Sequence, residues 1–374
     1  MTNQPATLEP TTFVEARRRK LSDRLAQQGL DALLVFSPAN RRYLTGFTGS
    51  FGYAVAFASE APPAFLTDWR YVEQAGAQIP GAQVTELPKN KHLWTPLRNA
   101  LANAGVQRLG IEAAHVSFAW AQEAQAELAG TELVPTRGLV EGLRTVKDEY
   151  EIACLSEAQR ITDEVFSQVL PLVQPGVSER ALAVELRHRI ELAGAENYPG
   201  LPIVASGWRA ALPHGRASEK RIEKGEFVLF DFGALVDGYH SDMTRTVACR
   251  KVGDREREVY GLVLEALEAG VQLATTPGRT GQEIDRACRE PIRRGGYREY
   301  EHGFSVGHGL GLEVHEDPFL SETLTEELQP GMVITVEPGI YVPEWTGVRI
   351  EDTVVVAEGG GRVLNSTGRE LREL

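Results

Sequence analysis

Three carboxylates of this chain sit where a carboxylate is costly. Asp231 follows the run Val228-Leu229-Phe230, Glu337 closes the run Val333-Ile334-Thr335-Val336, and Glu351 stands between Ile350 and Val354-Val355-Val356. Burying an acid in so apolar a stretch is unfavourable unless it is ion-paired or bound to a cation. One such residue reads as a salt-bridged core acid. Three of them, with Asp242 on the opposite arm of the first stretch, read better as a cation site. Two histidines join the set. His308 and His315 lie in Gly307-His308-Gly309-Leu310-Gly311-Leu312-Glu313-Val314-His315-Glu316, where the glycines let backbone come close, as a crowded site demands. Four carboxylates and one imidazole make a hard, oxygen-rich donor set. It suits Mn²⁺ best, and Co²⁺, Fe²⁺ and Zn²⁺ fit the same ligands. Five ligands hold two ions if carboxylates bridge, and ions about 3.5–4 Å apart can share one hydroxide and clamp a reacting oxygen. The residues by themselves point to a dinuclear hydrolase and leave its substrate open.

Such ligands need rigid elements behind them. Two hairpin-like stretches carry the four acids. The first runs from Phe227–Phe232 through a turn at Asp237-Gly238 to Ser241–Ala248. The second runs from Met332–Tyr341 through a loop at 344–347 to Val348–Val356. Each has an acid on both arms, a hint of an internal two-fold repeat. Upstream, Ile152, Leu155, Ala158, Ile161 and Val165 fall on one face of a long helix predicted over 146–173 and stopped by Pro175-Gly176. Thr280 and Glu283 have capping-box spacing for a further helix, with Gly295-Gly296 past its end. The first 140 residues alternate differently. A helix over 11–30, strands at Ala32–Phe36, Tyr53–Ala58 and Leu109–Ile111, and a helix at Trp120–Leu128 suggest an α/β layer domain. The expected fold class is α/β (α+β), with a domain boundary before the long helix: residues 1–145 and 146–374.

Composition narrows the partners. With 374 residues, 42% hydrophobic and 24% charged, the chain has ample core for two domains. A net charge of −13 argues against nucleic acid or an anionic membrane as the main ligand. Neither a secretory signal nor an apolar run long enough to span a bilayer is visible. Cys154, Cys249 and Cys288 are too scattered for a metal-type pair or a disulfide framework and read as buried thiols of a reduced, cytoplasmic protein.

The motifs around these residues resemble those of the creatinase–prolidase–aminopeptidase P family of pita-bread metallopeptidases. Asp231-Phe232-Gly233 with Gly238–Thr246 resembles its first metal motif, and His308–Glu316 its histidine motif. Thr335–Tyr341 and Gly347–Asp352 resemble its two glutamate motifs, and Leu212-Pro213-His214-Gly215 its substrate-histidine motif. Asn40–Phe47 resembles part of its smaller domain. The resemblance implies a creatinase-like N-terminal domain, a pita-bread catalytic domain, and a homodimer. It also implies roles. Asp231 would be a terminal ligand to one metal, Asp242 and Glu351 would bridge, and His308 and Glu337 would be terminal ligands to the other. Glu337 would shuttle a proton, His214 and His315 would hydrogen-bond the substrate or the tetrahedral intermediate, and Arg349 would orient a ligand carboxylate. His92, His115, His188 and His240 lie outside these roles. One departure is visible: Phe304 stands where relatives often carry a histidine, with His302 two residues earlier, on the same face if that stretch is an extended strand.

Within the family, the complete ligand set argues against a metal-free creatinase. The N-terminal domain and the Arg349-Ile350-Glu351-Asp352 motif argue against a methionine aminopeptidase. This leaves short proline-containing peptides as substrates. An Xaa-Pro aminopeptidase is the expected activity, on the strength of the loop Thr48-Gly49-Ser50-Phe51-Gly52. An Xaa-Pro dipeptidase is the alternative, and it would need a cation to close the far end of the site. Arg41, Arg42 and Arg70 are candidates for that cation. A non-catalytic binding module ranks below both, because such relatives lose metal ligands.

Overall fold

The computed structural model describes residues 10–59, 61–89, 92–196, 200–301 and 303–374. His302 lies outside the described residues. The chain divides into two compact units, Met1–Arg144 and Thr145–Leu374.

The N-terminal unit is one mixed six-stranded sheet with helices. Its elements in order are α1 (Pro10–Gln27), β1 (Ala32–Val35), α2 (Pro38–Thr45), β2 (Tyr53–Phe57), β3 (Ala64–Thr67), α3 (Val72–Gln78), β4 (Gln83–Glu86), α4 (Trp94–Asn103), β5 (Arg108–Glu112), α5 (Phe118–Glu127), β6 (Glu132–Thr136) and α6 (Glu141–Arg144). The strand order is β4-β3-β2-β1-β5-β6. β1 runs antiparallel to β2 and parallel to β5, as a strand buried on both faces should in an α/β layer. Its four residues are wholly buried, and Ala32 and Leu34 share a core with Leu66, Leu97, Leu101 and Leu109. The Asn40–Tyr43 motif holds this unit together. Asn40 Nδ2 donates to Glu112 and Glu141, both at 2.6 Å, and its Oδ1 accepts from Arg144 at 2.7 Å. Arg41 is buried, and its guanidinium donates to the carbonyls of Gly52 (2.8 Å) and Gly49 (3.0 Å). Arg70 forks onto Asp68. Two of the three arginines considered for a substrate carboxylate are therefore engaged within their own unit.

The second unit is built twice from the same parts. α7 (Glu149–Val169) and α8 (Glu179–Leu192) cover a sheet of β7 (Ile203–Ser206), β8 (Phe227–Phe232) and β11 (Met243–Ala248), with the small hairpin of β9 (Leu235–Val236) and β10 (Tyr239–His240) at its tip. α9 (Asp254–Ala274) and α10 (Gly281–Arg294) cover a second sheet. Its strands are β12 (His308–Gly309), β13 (Glu316–Phe319), β14 (Val333–Val336), β17 (Asp352–Val355) and β18 (Arg362–Val363). The tip hairpin here is β15 (Gly339–Val342) and β16 (Thr346–Arg349). In the first half Ile161, Val165, Leu182, Leu186, Val228 and Phe230 share one core. In the second, Val263, Leu267, Ile284, Ile334, Val336 and Val354 share another. Each such side chain stabilises by roughly 1.5–3 kcal/mol on burial.

Both hairpins expected from the sequence break into a stem and a tip. The first stem pairs Asp231 with Thr244, and its tip turns at Asp237-Gly238 with φ of 46° and 76°, the left-handed pair that a tight hairpin turn requires. The second stem pairs Val336 with Asp352, and its tip pairs Gly339 with Arg349. The long helix starts at Glu149 rather than 146. Asp148 and Glu151 form a reciprocal capping box, and Val146 is held extended by a bridge to Met332. Residues 303, 304 and 306 are bends rather than strand, and the face expected to be shared by 302 and 304 lies outside the described residues. Phe304 itself is 75% exposed. Among the described residues no helix is long and apolar enough to cross a membrane.

Candidate metal centre

The breaks between stem and tip are where the acids stand. Asp231 is the penultimate residue of β8, Asp242 precedes β11, Glu337 follows β14, and Glu351 lies between β16 and β17. Asp242, Glu337 and Glu351 stand just off the ladder and Asp231 within it, and all four carboxylates turn into one cavity. His308 enters from β12, its amide donating to Thr335 Oγ1 at 3.1 Å. The cavity, of about 260 Å³, is lined by His214, Asp231, Asp242, His308, His315, Glu337, Arg349 and Glu351, with an apolar wall of Leu201, Pro202, Ile203, Phe232 and Val314. All eight residues singled out from the sequence thus meet in one place.

The geometry is that of a cation site. One donor atom each of Asp242, His308 and Glu351 lie within 4.8 Å of one another. His308 Nε2 is 3.3 Å from Glu337 Oε1 and 3.8 Å from Asp242 Oδ2. The His308 and His315 rings stand 4.4 Å apart, centroid to centroid. Glu351 is buried; its Oε2 accepts from Thr244 Oγ1 at 2.7 Å, and its Oε1 is buried with no hydrogen-bond partner. An orphaned carboxylate oxygen in a dry site is expensive. The charges agree. Burial pushes the Asp242 carboxyl well above the usual range, and the Asp231 and Glu337 charges push it further. Burial and then Asp242, Glu337 and Asp231 do the same to Glu351. Burial also raises Asp231, against the opposing charge of Arg349. Crowded acids that resist ionisation together, with an unsatisfied oxygen among them, fit a divalent cation.

Arg349 organises one side of the cavity. Its guanidinium pairs with Asp231 and donates to Thr244 Oγ1 (2.9 Å), Tyr341 Oη (2.6 Å) and the Pro213 carbonyl (3.3 Å). Thr244 and Tyr341 were given no role from the sequence. Their signal was hydroxyls inside apolar strands: β11 is buried at every position, with Thr244 and Thr246 on alternate residues. Burial lowers the His315 pKa, with the nearby His308 adding to it, which favours a neutral ring. The other described histidines are not among the residues that line the cavity. His92, His115 and His188 are exposed. His240 is buried beside the first tip, where burial pushes its pKa down to about 4.

Comparison with known proteins agrees with this geometry. Residues 153–358 match metallopeptidase family M24, and residues 17–146 match the creatinase/prolidase N-terminal domain. The chain is 44% identical to an uncharacterized peptidase, YqhT, of Bacillus subtilis, over 94% of this chain and 98% of that one. It is 40% identical to an Xaa-Pro dipeptidase from Bacillus anthracis of known structure, with a TM-score of 0.91 over 96% of this chain and 100% of that one. It is 34% identical to an X-Pro aminopeptidase from Thermotoga maritima, with a TM-score of 0.87 over 95% and 99%. A cluster of acids and a histidine able to hold a metal, set in this twofold sheet arrangement and following an α/β domain in the sequence, agrees with these matches: the chain is a member of metallopeptidase family M24 with a creatinase/prolidase N-terminal domain and a pita-bread catalytic domain.

Proposed function

We propose that this protein is an Xaa-Pro dipeptidase, hydrolysing the bond between a first residue and a C-terminal proline. The orphaned, buried Glu351 Oε1 among acids of raised pKa carries the metal-dependent part of this reading. The dipeptide part is supported by the higher identity to the dipeptidase than to the aminopeptidase. It replaces the longer substrate expected from the Thr48–Gly52 loop. That loop is tied by contacts within its own unit, such as Ser50 Oγ to Tyr71 Oη at 2.7 Å, and carries no argument about peptide length.

Asp231, Asp242, His308, Glu337 and Glu351 would hold two divalent cations, best Mn²⁺. Such a pair would supply an activated water and polarise the scissile carbonyl. The chain's own groups do the rest. Arg349 fixes the Asp231 carboxylate, and Tyr341 fixes Arg349. Glu337 lies beside His308 and 3.9 Å from Arg349 Nε, where it can hold a proton in transit to the leaving amine. His315 and His214 line the cavity as donors to the substrate carbonyl. The apolar wall excludes water and accepts the proline ring. We further read the enzyme as a cytoplasmic homodimer, on the family resemblance and on three buried free thiols.

The test is an assay of Mn²⁺-loaded protein on Xaa-Pro dipeptides beside Xaa-Pro-Xaa tripeptides, with and without chelator. Chelator-sensitive cleavage of the dipeptides alone supports the reading. Equal cleavage of both lengths returns it to an aminopeptidase, and cleavage of neither refutes it.

A further inference from the structure

Behind the cavity, in the same unit, lies a buried ion pair that the mechanism does not use. Lys147 and Glu316 are 5% and 8% exposed, and Lys147 Nζ is 3.3 Å from Glu316 Oε2. Lys147 is itself held, its amide donating to the Gly331 carbonyl at 2.8 Å and its Nζ to the Thr145 carbonyl at 3.4 Å. Glu316 Oε1 accepts from the Glu313 amide at 3.0 Å, so the carboxylate closes the turn 313–316 from within. The turn is braced on its other side too. Gly311 N donates to the Glu313 carbonyl, and His240 N donates to the Gly311 carbonyl at 2.9 Å. Room for the carboxylate comes from Gly311, where a Cβ would lie 2.6 Å from Glu316 Oε1. This turn presents Val314 and His315 to the cavity.

A lysine buried this deeply costs desolvation that a surface pair would not, and a buried pair is weak evidence of stability for its own sake. What it provides is direction. The carboxylate is anchored at one oxygen by a fixed cation and at the other by the backbone of the turn. We propose that Lys147 is a positioning residue for His315, acting through Glu316 to fix the turn that aims the imidazole into the metal cleft. The proposal rests on His315 as a substrate contact in the function given above, and it adds a residue 168 positions upstream to the machinery that serves it. A ring displaced by a fraction of an ångström loses its hydrogen bond in the transition state more than in the ground state, so the loss should fall on kcat.

The experiment uses the full, Zn²⁺-loaded chain with ring-labelled histidine, the His315 signal being assigned by its absence in His315→Gln. Lys147→Met should shift the His315 ring signal and leave those of the exposed His92 and His188 in place. On an Xaa-Pro dipeptide its kcat should fall at least about 10-fold with little change in KM and full metal content, and Lys147→Arg should recover most of it. In the His315→Gln background Lys147→Met should cost less than about 2-fold more. An unmoved His315 signal, or the same fold loss in both backgrounds, overturns the proposal. If His315→Gln alone keeps full activity, the role given to His315 fails, and the ring signal still decides the positioning claim. Should Lys147→Met fail to fold, Lys147→Met with Glu316→Leu removes both charges and restores folding. The same signal is then read in that variant.

Discussion

The hydroxyl of Thr244 donates to Glu351 Oε2 at 2.7 Å, across the seam between the two halves of the catalytic unit. Thr244 Oγ1 in turn accepts from Arg349 Nε at 2.9 Å. One small side chain thus orients a proposed bridging ligand and the arginine that steadies another ligand.

Thr244→Val keeps the shape and removes the hydroxyl. The Glu351 carboxylate then loses the hydrogen bond to its Oε2, and Arg349 Nε loses an acceptor. Metal affinity should fall about 10–100-fold while the fold survives. Thr244→Ser should stay near the parent. Calorimetric titration of Mn²⁺ into chelator-treated protein checks both, and an unchanged affinity in the valine variant would refute the role.

Tyr341→Phe removes the nearer of two acceptors of Arg349 Nη1, leaving the Pro213 carbonyl. Burial pushes the Tyr341 pKa up to about 12, so the group is a neutral phenol at working pH. Loss of this hydrogen bond should cost about 1–3 kcal/mol. It should lower kcat about 10-fold through the freed guanidinium, measured on an Xaa-Pro dipeptide.

Removing the metal should reverse the normal pH dependence of stability. In the cation-free fold Asp242 and Glu351 have raised pKa values, so the folded state holds protons that the unfolded chain has released. Their contribution is fully present below the ordinary carboxylate pKa of about 4 and is lost as pH rises through the raised folded values. Chelator-treated protein should therefore melt lower at pH 7.5 than at pH about 5.5. Added Mn²⁺ should raise the melting temperature more at the higher pH. A chelated protein whose melting temperature climbs over this window would contradict the charge arrangement.

Gly307→Ala tests how tightly His308 is seated. A Cβ there would strike the backbone carbonyl of Thr335 on the neighbouring strand, and that carbonyl cannot rotate away. β12 must shift, taking the imidazole with it. Stability should fall by about 1–3 kcal/mol, and metal affinity should fall with it. Denaturant melts and metal titration measure the two losses separately.

The site was far more legible in the sequence than the residues that brace it. Acids and histidines inside apolar, glycine-spaced runs announce themselves by their cost, and Asp231, Asp242, His308, Glu337 and Glu351 do meet. Thr244 and Tyr341 carry no such cost in a strand, since a hydroxyl there is ordinary; only the fold shows that theirs meet Arg349 behind the cavity lining. Arg41 misled in the opposite direction. Its charge suggested a substrate contact, but the carbonyls of Gly49 and Gly52, brought to it by a loop closure that sequence spacing does not reveal, use it as a brace. The start of the long helix moved from 146 to Glu149 because the Asp148–Glu151 capping box outweighs the apolar pattern that continues upstream.

The stem-and-tip break of the first hairpin has a consequence for how this enzyme can vary. Its two acids are spaced by the ladder register that sets Asp231 opposite Thr244, and the neck beyond them is closed by Ser241, whose Oγ accepts from the Ala234 amide at 2.8 Å and meets Thr162 Oγ1 at 2.7 Å. The turn at Asp237-Gly238 lies beyond the clamp, while His240 is tied back to the Gly311 carbonyl at 2.9 Å. Insertions or trims at Asp237-Gly238 can remodel the protein's outline there without respacing the acids, so chemistry and contour are free to diverge at different rates.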